Sequence, residues 1–292
     1  DTDPIRARRS GRDTGRPDGG DPVGKRLTGR GARFRHMHHV RFVDPAGDVR
    51  RGEWTDPDGD EIAAHPTHGA RISLDEETYS ASEVDILPPC EPSKVVCVGR
   101  NYADHAEERD NEVPDRPLLF LKPPSAVTAH GESLPLLPGK ERIDYEAEMG
   151  VVVGERARNV PAERAEEVIA GFTCVNDVSN RDDQDVEQNW VRGKAFDASC
   201  PLGPVIATPE EVPADARVSC RLNGRTVQEG TREQLIFDVG ELIAEITTYM
   251  TLEPGDVIAT GTPEGVGPLS DGDTVEVTVE GVGTLRNTVE LE

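Results

Sequence analysis

Tyr145-Glu146-Ala147-Glu148-Met149-Gly150, running straight into Val151-Val152-Val153, is the stretch on which the reading of the fold turns. Consecutive β-branched residues favour a strand, and the two-residue period of a strand places Glu146 and Glu148 on one face. Two carboxylates so close either raise one pKa or hold a cation between them. Further along, a second apolar run, Phe172-Thr173-Cys174-Val175-Asn176, ends at Asp177, a third oxygen donor. Three carboxylates without a neighbouring His or Cys suit a hard ion: Mg2+, with Mn2+ and Ca2+ as alternatives. Glu-x-Glu alone also describes a solvated strand face, so the remaining stretches have to decide.

Composition narrows the classes. A chain of 292 residues is long enough for one large domain or two smaller ones. No apolar run approaches bilayer length, and no charged-then-apolar leader is visible, so a cytoplasmic protein without a membrane partner is expected. The five cysteines, Cys90, Cys97, Cys174, Cys200 and Cys220, lack CxxC spacing and sit mostly in apolar runs. They read as buried thiols rather than disulfides or a zinc site. Acidic residues number 56 against 32 basic ones, for a formal charge of -24. Such a surface repels nucleic acid. With only five lysines, Lys25, Lys94, Lys122, Lys140 and Lys194, it resembles proteins of salt-loving cells, where concentrated salt screens self-repulsion.

Residues 1–36 differ in kind. They carry a net +5, which leaves -29 on the rest, and they lack apolar periodicity. A disordered basic leader is expected there, with Met37 as the natural start. Residues 37–90 give short strand signals and read as a small β-rich amino-terminal subdomain. Within it, Asp56-Pro57-Asp58-Gly59-Asp60-Glu61 has its glycine too early for a calcium loop and reads as a polar turn. Residues 91–292 read as the second, larger domain, which holds Glu146, Glu148 and Asp177. Lys94 to Gly99 is a buried strand, followed by a short helix opening near Asp104 on which His105 and Glu108 face the same way. Pro117 to Lys122 is another strand, ending on a lysine between apolar residues and two prolines. Pro161 to Ala170 reads as a surface helix with Val168 and Ile169 inward. The Cys-Pro-Leu-Gly-Pro stretch at 200–204 reads as a turn before strand 205–207. Asn223-Gly224 is a hairpin turn. Asp238 to Glu241 is a capping box for a helix with Leu242, Ile243, Ile246 and Tyr249 inward.

Six separate stretches carry a resemblance. Val98-Gly99-Arg100-Asn101-Tyr102 with His105, Phe120-Leu121-Lys122-Pro123 and Tyr145 to Gly150 are three of them. Asn176-Asp177-Val178-Ser179 with Arg181 and Gln184, Gly193-Lys194-Ala195-Phe196-Asp197, and Gly261-Thr262-Pro263-Glu264-Gly265-Val266-Gly267 are the others. In this order, over roughly residues 90 to 290, they resemble the fumarylacetoacetate hydrolase family. The resemblance implies an α+β, mainly β fold: a mixed β-sandwich roll with a few peripheral helices, Mg2+ or Mn2+ in its mouth, and a homodimer. It implies Glu146, Glu148 and Asp177 as metal ligands and His105 with Glu108 as a water-activating dyad. Lys122 would sit on a mobile lid, and Gln184 and Lys194 would meet substrate or oxyanion. Arg100, Tyr102, Arg181 and Thr262 would contact substrate, the last two near its carboxylate.

The chemistry implied is that of a small oxo-acid chelated to a Lewis-acidic ion. The leading expectation is hydrolysis of a C-C bond in an acylpyruvate, with His105 and Glu108 activating water. The same site accommodates decarboxylation, isomerisation or tautomerisation of oxaloacetate-like or hydroxy-dienedioate diacids, or dehydration of a 2-keto-3-deoxy sugar acid. A non-catalytic metal- or carboxylate-binding protein is the reading from another class.

Overall fold

The run Val151-Val152-Val153 forms the centre of the molecule because every residue of its strand, Ala147–Val153, is buried. In the computed structural model, which describes residues 38–55, 71–74, 77–103 and 114–291, that strand lies inside a twelve-stranded sheet. Burial on both faces explains a continuous apolar run where a half-exposed strand would alternate. Its antiparallel neighbours are Ile169–Asn176 and Val257–Ala259. Outward on one side follow Cys200–Ala207, His38–Val43 and Val49–Thr55, then Arg71–Leu74 and Glu77–Ser80; on the other follow Val95–Gly99 and Leu118–Lys122. Two glycines let the central strands close up. A Cβ on Gly150 would stand 2.7 Å from Val175 Cγ2, and one on Gly171 would stand 2.1 Å from the Ala207 carbonyl oxygen.

A second, five-stranded sheet packs against the first. Its order is Arg225–Thr231, Arg217–Leu222, Thr274–Val279, Gly283–Leu291 and Ser133–Leu136. Met149 and Val151 of one sheet share an apolar cluster with Cys220, Val277 and Leu285 of the other. Asn223 and Gly224 make the expected hairpin turn, both left-handed at φ 52° and 77°. A three-stranded ribbon, in the order Ser179–Asn180, Ile143–Tyr145 and Gly267–Pro268, leads from Tyr145 through Glu146 into the central strand. The mainly β, α+β expectation holds.

Several local expectations are corrected. Residues 161–170 form a 3-10 helix, Ala162–Val168, that buries Ala165, and Ile169 already belongs to the next strand. The stretch 200–204 is part of strand Cys200–Ala207 rather than a turn. Asp238 caps helix Val239–Tyr249 as expected, accepting from the Glu241 N–H at 2.8 Å. Leu242, Ile243 and Ile246 face inward, but Tyr249 is 60% exposed, with its hydroxyl bound by Arg116 at 3.0 Å. Strands His38–Val43 and Val49–Thr55 are joined to the main sheet through the pairing of His38 with Ala207. All five cysteines are buried free thiols. The basic leader at 1–36, Met37, the turn at 56–61, and the helix expected near Asp104 with His105 and Glu108 lie outside the described residues.

Candidate functional site

Strand register creates the site. Ala147 pairs with Asn176, so the residue before one strand meets the residue after the other. The Asp177 N–H donates to the Glu146 carbonyl at 2.9 Å, and the Glu146 N–H donates to Asn176 Oδ1 at 2.9 Å. Here the single strand expected from sequence breaks, because Glu146 falls between Ile143–Tyr145 and Ala147–Val153. Glu146, Glu148 and Asp177 are nonetheless all buried, and each offers an oxygen within 4.8 Å of the others. Burial removes the solvated-face alternative.

Two lysines serve this cluster. Lys194, at the end of the short helix Val191–Lys194, places Nζ 2.7 Å from Glu146 Oε2 and 2.7 Å from Asp177 Oδ2. Burial alone would lower its pKa, but the Asp177 and Glu146 charges outweigh that and raise it above the ordinary lysine value. Lys122 is wholly buried, its Nζ 2.8 Å from Asp177 Oδ1 and 2.7 Å from the Ser199 carbonyl. The mobile-lid expectation for Lys122 is thereby corrected. It closes strand Leu118–Lys122 and also donates to the Val178 carbonyl at 3.1 Å.

Glu148 has less compensation. It accepts from the Gly261 N–H at 2.8 Å. Burial first, then the charges of Asp177 and Glu146, push its pKa well above the usual carboxylate value. A buried carboxylate raised by two neighbours marks a local shortage of positive charge. An all-oxygen donor set with that shortage fits a hard divalent cation, and Glu146, Glu148 and Asp177 would be its ligands.

Arg181 is the third buried cation. Its Nε donates to Asp144 Oδ2 at 2.9 Å, one terminal nitrogen to Gln184 Oε1 at 2.7 Å, and the other to Glu146 Oε1. All three nitrogens serve protein acceptors, and Arg181 also lines the cavity described next, where each terminal nitrogen keeps a second N–H. Burial would lower its pKa, but Glu146 and Asp144 raise it.

Glu146, Glu148, Asp177, Arg181, Gln184 and Lys194 line one cavity of about 320 Å3, together with Arg100, Phe120, Asp185, Trp190 and Thr262. Arg100 stands on a left-handed backbone, φ 59°. Thr262 Oγ1 accepts from Gln228 Nε2 at 2.8 Å. Tyr102 does not line the cavity: its ring is buried in the main core, which raises its pKa, and its backbone bridges to Leu235. Phe120 and Trp190 form an edge-on pair at 5.5 Å, and Lys194 Nζ lies 5.0 Å from the Phe120 ring. Sequence reasoning did not single out Asp144, Phe120 and Trp190 for the site. Asp144 had a signal, a charge set between apolar Ile143 and Tyr145 directly before the Glu-x-Glu.

Residues 94–290 match the family model described as fumarylacetoacetate (FAA) hydrolase C-terminal. The chain belongs to the fumarylacetoacetate hydrolase family. It is similar to a solved structure from Mycobacterium smegmatis described as a 5-carboxymethyl-2-hydroxymuconate delta-isomerase, with 39% identity, TM-score 0.77 and coverage of 88% of this chain and 99% of that one. It is 41% identical over 221 residues to human mitochondrial oxaloacetate tautomerase FAHD2A, covering 71% of this chain and 70% of the relative. A solved fumarylpyruvate hydrolase from Pseudomonas aeruginosa, in complex with Mn2+ and pyruvate, shares 32% identity at TM-score 0.65, covering 74% of this chain and 93% of that one. No helix among the described residues is long and apolar enough to cross a membrane.

Proposed function

We propose that this member of the family is a divalent-metal-dependent enzyme that interconverts the keto and enol forms of a short 2-oxo diacid of the oxaloacetate type. The observation that carries the reading is the convergence of Glu146, Glu148 and Asp177 beside Lys194 and Gln184. Mg2+ or Mn2+, when bound, supplies the Lewis acidity that draws charge onto the 2-oxo oxygen. Lys194 holds an ammonium charge at the cavity wall, placed to stabilise an oxygen on which negative charge develops. Gln184 accepts from Arg181 through Oε1, which leaves its amide N–H groups as the free donors for the substrate. Arg100 has no ion-pair partner among the described residues and supplies a charge for the second carboxylate of a diacid. Similarity to an oxaloacetate tautomerase supports the choice of substrate.

Hydrolysis of acylpyruvates is the second reading, favoured by the His105-x-x-Glu108 spacing and by the likeness to a fumarylpyruvate hydrolase. Purified full-length protein, in high salt with Mn2+, is assayed for decay of enol-oxaloacetate absorbance and for pyruvate release from acetylpyruvate. Accelerated enol decay without pyruvate release is the expected result. Pyruvate release without enol decay selects the hydrolase, and inactivity in both assays sinks the enolate reading.

A further inference from the structure

Four buried carboxylates meet at this site, but only three belong to the triad. The fourth, Asp144, is wholly buried in the ribbon strand Ile143–Tyr145. Two guanidinium groups converge on it: Arg142 Nε lies 3.0 and 3.2 Å from its two oxygens, and Arg181 Nε lies 2.9 Å from Oδ2. The ribbon fixes this meeting. Asp144 pairs with Ser179, and the Arg181 N–H donates to the Arg142 carbonyl at 2.9 Å, which brings Arg181 alongside the strand.

A buried carboxylate so placed decides where the Arg181 charge goes. The guanidinium is divided among Asp144, Glu146 and Gln184. Against Asp144, Glu146, Glu148 and Asp177 stand three buried cations, Lys122, Lys194 and Arg181. Half-exposed Arg142 adds only a screened contribution at the far side of Asp144. With Asn in place of Asp144, three cations would face three carboxylates, and Glu146 would be the one carboxylate left to Arg181 among its acceptors. The hold of Arg181 on Gln184 Oε1 would loosen with that change, freeing the amide to turn over.

We infer that Asp144 is a positioning residue that keeps Arg181 shared, so that Arg181 holds Glu146 loosely enough for a divalent cation to compete for it and Gln184 keeps its N–H groups toward the cavity. This rests on the metal-dependent reading above. It assigns Asp144 no contact with substrate or metal.

The test is a calorimetric titration of Mn2+ into the full chain in high salt. Asp144→Asn, which keeps the shape and removes the charge, is expected to weaken Mn2+ binding about 10- to 100-fold, the usual scale for an outer partner of a metal ligand. In an Arg181→Met background the same change is expected to alter affinity by less than about twofold, because Asp144 acts through Arg181. Parental affinity in Asp144→Asn, with only a lower unfolding midpoint, overturns the inference, as do losses that multiply in the double variant. Should Asp144→Asn fail to fold, Arg181→Lys reads the same link. A lysine cannot hold three acceptors in a fork, so weakened Mn2+ binding supports the inference and unchanged binding overturns it. Absence of Mn2+ binding in the parent defeats the metal reading itself, a distinguishable failure.

Discussion

Lys122 and Asp177 form an ion pair closed to solvent, with Nζ 2.8 Å from Oδ1 and side chains 0% and 1% exposed. Lys122 also satisfies the Val178 and Ser199 carbonyls. Removing Lys122 leaves Asp177 Oδ1 and two buried carbonyls without their cation, with Lys194 remaining only on Oδ2. Lys122→Met is therefore expected to lower unfolding free energy by about 3–5 kcal/mol, measured by urea titration at fixed salt in EDTA. A loss below about 1 kcal/mol, the range of an exposed pair, contradicts this account of the lysine.

Gly261 offers a second test, of geometry rather than charge. Its φ is +101°, and an added Cβ would stand 2.7 Å from Asn101 Cβ. The same residue donates its N–H to Glu148 Oε2 at 2.8 Å. Gly261→Ala is expected to cost about 1–3 kcal/mol in backbone strain and to displace the donor that orients Glu148. Activity should fall about 100-fold while a folded protein is retained. Steady-state kinetics beside an unfolding curve separates the two effects, and a variant with lost stability but parental kcat contradicts the donor role.

His130 makes the acid limb of stability testable. The ring is half-buried, and its Nδ1 accepts from the Arg286 N–H at 3.2 Å. Burial, then the Arg286 charge, lowers its pKa from 6.5 to about 4. As pH falls, the unfolded chain takes up this proton first, so stability rises with pH across the window between those values. The contribution is complete above about pH 6.5 and is lost toward pH 4, by up to about 3 kcal/mol. His130→Gln is expected to flatten the dependence of unfolding free energy on pH within that window. Equal slopes for parent and variant contradict the assignment.

Much of the site was legible because its signals are local. Glu146 and Glu148 are held by strand period, and Asp177 by its place at the end of an apolar run. The Asn223-Gly224 turn and the Asp238 cap depend on a few neighbouring residues. What was misread depends on distant ones. The break at Glu146 comes from the Asn176 side chain, far along the chain. Lys122 looked available because its partners, Val178 and Ser199, are remote in sequence. Tyr249 fits the inward spacing of its helix, yet Arg116 and Glu245 hold its end of the helix at the surface. The buried partner of Arg181 was hidden for the same reason: nothing beside it announces Asp144.

The claim on which the rest depends is that three carboxylates share one divalent cation. The direct measurement is anomalous diffraction from a crystal of the full chain soaked in Mn2+, with Glu148→Gln as the companion. A peak within about 2.5 Å of oxygens from Glu146, Glu148 and Asp177, much weakened in the variant, is the predicted result. No peak among these three residues, with Mn2+ only on surface acidic groups, would contradict it.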